Sequence, residues 1–208
     1  MAAERVQGLR AALEEHPVIA AVRDDAGLKT ALAAPVGVIF LLSSEISRIE
    51  AVGATVAKAG KQLFIHLDFV EGLGKDEVGL AFLVRHAKPT GVISTRTGLV
   101  QAARRAGVIP LQRLFLLDSQ SLSTGLEAAR NSKAEVVEVL PGIVPRAISA
   151  VRSQLPNSLI IAGGLVRTDK EAARALAAGA AGVSTSSTAL WHLDRAALQQ
   201  ANGGQTTS

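Results

Sequence analysis

SLIIAGGLVRTDKEAARALAAGAAGVSTSSTALW, Ser158 to Trp191, is the stretch around which the rest of the chain is organised. A short apolar run, Leu159 to Ala162, ends in Gly163-Gly164. Thr168 followed three residues later by Glu171 has capping-box spacing and opens a helix. Gly179 closes it, because the residue just past a helix end often needs positive φ. A second run, Ala181 to Val183, ends in Ser184-Thr185-Ser186-Ser187 before another helix. Strand, glycine loop, helix, strand, hydroxyl loop, helix is the order found at the end of a (β/α)₈ barrel. There the loops after strands 7 and 8, with a nearby helix N-terminus, bind phosphate. Glycines let backbone N–H groups approach an anion and hydroxyls add donors. A glycine after a strand is also ordinary turn chemistry, but two such loops in consecutive units favour phosphate. The expected phosphate ligands are Gly163, Gly164, Ser184, Thr185 and Ser186.

The same alternation runs back to the start. Residues 3 to 15 form an amphipathic helix with Val6, Leu9 and Leu13 on one side, expected to lie under the barrel. Strands are expected at Val18–Val22, Val36–Leu42, Leu63–Leu67, Thr90–Ile93, Leu111–Leu117 and Val136–Leu140. Helices follow each one: Asp25 to Ala33, Ser47 to Ala59 (Ser47 and Glu50 as a capping box), Asp76 to Ala87, Thr97 to Ala106, one after Asp118-Ser119, and one from Pro145, a favoured first-turn residue. Eight units of about 26 residues suit a short strand plus a three-turn helix. The strands are continuous apolar runs, as when both faces of a sheet are covered. The expected fold is α/β: one (β/α)₈ TIM barrel over residues 1–195 with a short N-terminal helix, then a disordered tail over 196–208 that ends ANGGQTTS. An open doubly wound sheet competes, but polar residues after nearly every strand favour closure.

Composition narrows the function. Hydrophobic residues make up 48% of the 208, yet the longest apolar stretch, Val36 to Leu42, is too short to span a bilayer. Glu4, Arg5 and Arg10 stand where a signal peptide needs an apolar core, so a cytoplasmic protein without membrane contact is expected. With no cysteine there is no disulfide, thiolate metal site or cysteine nucleophile. A net charge of +4 permits a polyanionic partner without requiring one. One Trp, five Phe and no Tyr argue against an extended base-stacking platform.

Functional residues of such barrels sit at the C-terminal ends of strands. Here that mouth collects Arg23, Ser43-Ser44, His66, Asp68, Ser94, Arg96, Asp118-Ser119 and Glu138 besides the two loops. His66 and Asp68, two apart, point the same way on an extended strand. The pair is suited to a metal, to acid–base chemistry or to gripping a sugar hydroxyl; a hydrogen-bonded core histidine is an equal alternative. Asp68 has capping of the loop Glu71 to Gly74 as its plainer role. Arg23 and Arg96 supply cations for an anionic ligand, or salt bridges to Asp24, Asp68 or Glu138. Asp118 and Ser119 read as a helix cap. Glu138, inside the apolar run Val136–Leu140, is expected to face the lumen, where it must be paired, protonated or liganded.

Six strings occur in order: His66-Leu-Asp-Phe-Val-Glu-Gly-Leu73, Val92-Ile-Ser-Thr-Arg96, Gln112-Arg-Leu-Phe-Leu-Leu-Asp-Ser119, Glu138-Val-Leu-Pro-Gly142, Ile161-Ala-Gly-Gly-Leu165, and Val183-Ser-Thr-Ser186 with Leu190-Trp191. Together, over about His16 to Trp191, they resemble the glycerol uptake operon antiterminator regulatory proteins, which respond to glycerol 3-phosphate. Phe69 where leucine is expected and Arg96 where lysine is common are mild departures. The resemblance implies a non-enzymatic barrel, without cofactor or metal, that binds glycerol 3-phosphate and acts on an mRNA leader, raising expression of glycerol-utilisation genes. It implies phosphate on the five residues named above and the glycerol end near Arg23, His66, Asp68, Arg96 and Glu138. Ligand-driven closure of the loops would alter a basic surface or a homo-oligomer interface.

The residues themselves speak less clearly for RNA. Arg85, Lys88, Arg104 and Arg105 lie on two consecutive helices, and Arg167, Lys170 and Arg174 form a stripe at helical spacing. Solvated helix faces are the plainer account of both, and no RNA-binding module signature is present. The rival class is a phosphosugar enzyme. His66-Leu-Asp68 with Glu71-Gly72 is similar to a metal-binding stretch of ribulose-phosphate epimerases, but Ala162 stands where that family needs aspartate and Ser94-Thr-Arg96 where it needs histidine. An isomerase or synthase using His66, Asp68 and Glu138 stays open, as does a barrel acting through a protein partner.

Overall fold

The computed structural model describes residues 2–203. Eight parallel strands close into a barrel in chain order: β1 Val18–Val22, β2 Val38–Leu41, β3 Gln62–His66, β4 Gly91–Ser94, β5 Ile109–Phe115, β6 Val136–Leu140, β7 Leu159–Gly163 and β8 Gly182–Thr185. β8 closes on β1, with Val18 beside Val183 and Ala20 beside Thr185. The α-helices are α1 Ala2–Glu15, α2 Asp25–Ala33, α3 Ile49–Lys58, α4 Glu77–Ala87, α5 Thr97–Arg105, α6 Ser119–Ser132, α7 Pro145–Gln154, α8 Asp169–Ala177 and α9 Arg195–Gly203. Two short strands and two 3₁₀ turns, Leu67–Phe69 and Thr188–His192, lie in the loops. The fold is the (β/α)₈ barrel that the alternation predicts, with strand and helix bounds mostly within two residues.

Alternation along each strand divides the apolar residues into two cores. Ile19, Val38, Phe40, Phe64, Ile93, Ile109, Leu111, Val136, Leu159 and Ile161 fill the lumen, and Leu9 and Leu13 of α1 plug it from below. That is the expected role of α1. Gly182, at the start of β8, makes room for the plug: a Cβ there would lie 2.8 Å from Leu13 Cδ2. The intervening strand residues pack outward against the helices in a larger cluster. Buried on both faces, the strands need no polar alternation.

Three expectations are corrected. The Ser47–Glu50 capping box does not form: α3 begins after Arg48, which makes no side-chain cap, and Ser47 Oγ–H instead donates to Glu45 Oε2 at 3.3 Å. Ser44–Glu45 pairs in parallel with Val70–Glu71 as a small lip above β2 and β3, and this pairing dictates the turn into α3. Arg167 lies before the cap Thr168, so only Lys170 and Arg174 of the proposed basic stripe are on α8. Finally, the chain beyond residue 195 continues as α9 rather than as a disordered tail. Leu198 is buried, and the Arg195 guanidinium donates to Leu13 O at 2.8 Å and Glu14 O at 3.1 Å. The rest of the expected tail, residues 204–208, lies outside the described residues. Among residues 2–203 no helix is long and apolar enough to cross a membrane.

Candidate functional site

The lumen changes character at the C-terminal ends of the strands. The apolar layers end in His66 on β3, Arg113 on β5, Glu138 on β6, Gly163 on β7 and Ser184 on β8, each two residues beyond a lumen-filling or strand-opening position. Arg113 and Glu138 are register partners on adjacent strands. Arg113 Nε donates to Glu138 Oε2 at 2.6 Å, with Arg113 7% and Glu138 1% exposed. Glu138 therefore faces the lumen, as expected, and is paired. Arg113 escaped the sequence reading, although the signal was the same: a charged residue inside the apolar run Ile109–Phe115.

The carboxylate also reaches across β7. Ser184 Oγ–H donates to Glu138 Oε1 at 2.6 Å, and Gly163 lies between the two strands, beside Ser184. A Cβ on Gly163 would overlap Glu138 Oε1 and lie 2.7 Å from Ser184 Oγ. Gly163 thus serves as the floor under this bridge. Gly164, by contrast, turns the chain at φ 76 and opens onto the pocket.

That pocket, of about 270 Å³, is lined by Arg23, Arg113, Glu138, Gly164, Arg167 and Ser184 to Ser186, among others. It is at the small end of ligand sites. Of the expected phosphate ligands, Gly164, Ser184, Thr185 and Ser186 line it, while Gly163 lies beneath. The hydroxyls differ in what they can offer. Thr185 Oγ1–H donates to Val166 O at 2.6 Å and its oxygen accepts from Ser187 N–H at 3.0 Å, so it braces the loop. Buried Trp191 adds a brace through Nε1–H to Thr185 O at 2.8 Å. Ser186 is exposed at the rim. The expected anion site at the N-terminus of α8 is already filled by the chain itself. Thr168 and Glu171 form the capping box, and the N–H groups of Arg167 and Thr168 hold the Glu171 carboxyl below its usual range.

Arg23 makes no hydrogen bond or ion pair among the described residues. It borders this pocket and a second of about 470 Å³ that contains Asp68, Phe69, Glu71 and Lys75. Asp68 follows the end of β3 in a short 3₁₀ turn, Leu67–Phe69, so a turn rather than an extended strand brings it near His66. It accepts from Ser94 Oγ–H at 2.8 Å and sits 3.1 Å from Arg96 Nε, an ion pair off hydrogen-bond angle. This replaces the expected cap on the loop Glu71 to Gly74. Arg96 also donates to Lys75 O at 3.1 Å and stands outside both pockets. His66 is buried with neither ring nitrogen hydrogen-bonded; Nδ1 is 3.7 Å from Asp68 Oδ2. Burial, reinforced by the Arg113 cation and opposed by Asp68, pushes its pKa down to about 4. The imidazole is therefore neutral at physiological pH. Asp118 caps α6, as expected, but its capping-box partner is Ser121, and Ser119 is the first residue of the helix. Among the described residues no cluster of three or more His, Asp or Glu is placed to hold a metal ion.

Residues 18–191 match the family model described as glycerol-3-phosphate responsive antiterminator. The chain belongs to this antiterminator family. A curated relative, the uncharacterized protein YgcP of Escherichia coli K12, is 36% identical over 186 residues, which is 89% of this chain and 97% of that protein. Two solved structures are similar to the antiterminator-family barrel. The glycerol uptake operon antiterminator regulatory protein of Listeria monocytogenes has a TM-score of 0.80 at 29% identity, covering 84% of this chain and 94% of that one. A glycerol uptake operon antiterminator-related protein of Thermotoga maritima has a TM-score of 0.76 at 32% identity, covering 86% and 99%. Enzyme barrels such as aldolases, at 17% identity or below, share the fold alone.

Proposed function

We propose that this chain binds glycerol 3-phosphate in the pocket over β5 to β8 and, when loaded, acts on an mRNA leader so that transcription passes a terminator and glycerol-utilisation genes are expressed. The observation that carries the reading is the charge of the pocket wall. Arg23, Arg113 and Arg167 face a single carboxylate, Glu138, which leaves a surplus of two positive charges for a phosphate monoester carrying about −2. Arg23, Arg167, Ser186 and the turn at Gly164 form the outer, wet end suited to phosphate; Arg113, Glu138 and Ser184 form the inner end suited to hydroxyls. Asp68 lines the adjoining pocket, paired from outside it by Arg96.

For RNA, the α8 side is preferred. Arg167 at the pocket adjoins exposed Lys170 and Arg174, whereas in the other patch Arg105 is engaged with Glu77 at 2.6 Å. Ligand and RNA sites that meet at Arg167 would be linked, each changing the other's affinity by the same factor; the ligand-responsive action proposed here requires that factor to favour binding of both. The rival, a phosphosugar isomerase or synthase, draws on neutral His66 beside Asp68, but Glu138 has both oxygens engaged and is poorly placed as its base. Conversion of glycerol 3-phosphate by the pure protein would decide for that rival.

Calorimetry with glycerol 3-phosphate, glycerol and inorganic phosphate tests the site. Wild type should bind the phosphate ester far more tightly than glycerol, and Gly164→Asp and Arg167→Ala should each weaken it at least tenfold. Equal affinity for glycerol and its phosphate overturns the placement. A gel shift with leader RNA, with and without ligand, on Lys170→Glu/Arg174→Glu tests the second half: ligand affinity unchanged and RNA affinity lost is the expected result.

A further inference from the structure

The direction of every hydrogen bond at the inner end of the pocket is fixed by atoms already described. Ser184 has one hydroxyl proton, and it is committed to Glu138 Oε1 at 2.6 Å. Glu138 takes its other hydrogen bond from Arg113 Nε at 2.6 Å. A carboxylate accepts only, so Glu138 cannot return a proton to Ser184. Towards the pocket, which it lines, Ser184 Oγ therefore offers lone pairs and no donor. Arg113 is the complement. A guanidinium carries five N–H donors and no acceptor; only Nε is used by Glu138, and the Nη groups donate no hydrogen bond among the described residues. The inner wall thus sets an acceptor next to a row of donors, in a layer where Arg113, Glu138 and Ser184 are all buried.

A carbinol hydroxyl gives one proton and takes at least one, so it satisfies both sides at once. A ketone oxygen only accepts: Arg113 can donate to it, but Ser184 then meets it lone pair to lone pair. A site built to hydrogen-bond a ligand hydroxyl rejects the analogue that lacks one more strongly than an apolar site rejects an extra group. We propose that Ser184, held in its acceptor orientation by Glu138, is the specificity-determining residue of this pocket, which takes phosphorylated polyols and excludes the corresponding keto phosphates. The inference rests on the phosphate-ester reading above and adds which oxidation state of a three-carbon phosphate the barrel reports. Gly163 is part of the device, since any side chain there would break the Glu138–Ser184 bridge.

The test is calorimetry on the full chain with glycerol 3-phosphate, its ketone analogue dihydroxyacetone phosphate, and inorganic phosphate. In wild type the polyol ester should bind at least tenfold more tightly than the ketone ester. Ser184→Ala removes one oxygen from a small side chain and should bring that ratio close to one, mostly by weakening the polyol ester. The wild-type ratio needs no substitution, so the proposal survives a variant that fails to fold. Equal wild-type affinities for the two esters overturn the inference and leave the phosphate site standing. A ratio that persists unchanged in folded Ser184→Ala overturns the role of Ser184. No binding of any of the three overturns the underlying reading and the inference with it.

Discussion

Arg113 and Glu138 stand side by side in the parallel register of β5 and β6 and close an ion pair of 2.6 Å inside the barrel, above a wholly apolar lumen. Removing one partner of a buried pair strands the other charge, whereas removing both often costs little. Arg113→Met should therefore lose about 3–5 kcal/mol of stability in urea unfolding, and Arg113→Met/Glu138→Leu should recover most of it. Both variants should lose ligand affinity for different reasons: the single one drops the pocket surplus to one positive charge, and the double one keeps a surplus of two but removes the anchor of Ser184 along with the Arg113 donors. A double variant no more stable than the single one would show that the pair does not act as a unit.

His66 should impose an acid limit on stability. The unfolded imidazole titrates near 6.5 and the native one at about 4, so between those values the unfolded chain binds more protons. The contribution is complete above about pH 6.5 and is lost as the pH falls towards 4, about 3 kcal/mol across the window. Urea midpoints measured from pH 7.5 to 4.5 should fall more steeply for wild type than for His66→Gln. Parallel profiles would mean that the native histidine is not held neutral.

Two glycines should respond oppositely to alanine. Gly163→Ala pushes a methyl group into Glu138 and Ser184 and should cost about 1–3 kcal/mol, with loss of ligand binding. Gly98, in the first turn of α5, has nothing within 4 Å of a built Cβ, and Gly98→Ala should leave binding intact and add up to about 1 kcal/mol. Thermal melts of the two variants suffice.

Helix α9 should behave as part of the barrel. Leu198 belongs to the outer core, and Leu198→Ala should cost about 2–4 kcal/mol. Arg195→Ala, which releases the end of α1, should cost about 1 kcal/mol. Melting temperatures unchanged in both would place α9 outside the cooperative unit.

The sequence by itself determined the elements whose signals are local. Apolar runs of four or five residues ending in glycine or hydroxyl loops are strands because nothing in them needs water, and Thr168 with Glu171 caps α8 because both partners lie within one turn. The lumen-facing position of Glu138 was likewise legible, from a charge inside an apolar run. What the tertiary structure alone decided depends on partners far apart in the chain. Ser47 and Glu50 have capping spacing, yet the pairing of Ser44–Glu45 with Val70–Glu71 starts the helix later. Residues after 195 look weakly apolar alone, yet helix α9 docks Leu198 into the core and ties Arg195 to α1. Five residues proposed together for phosphate have separate duties, because only the closed barrel lays the Glu138 carboxylate over Gly163 and turns the Ser184 proton away from the pocket. Spacing along the chain fixes which face a residue occupies; only closure of the sheet fixes which charge, and which proton, it meets there.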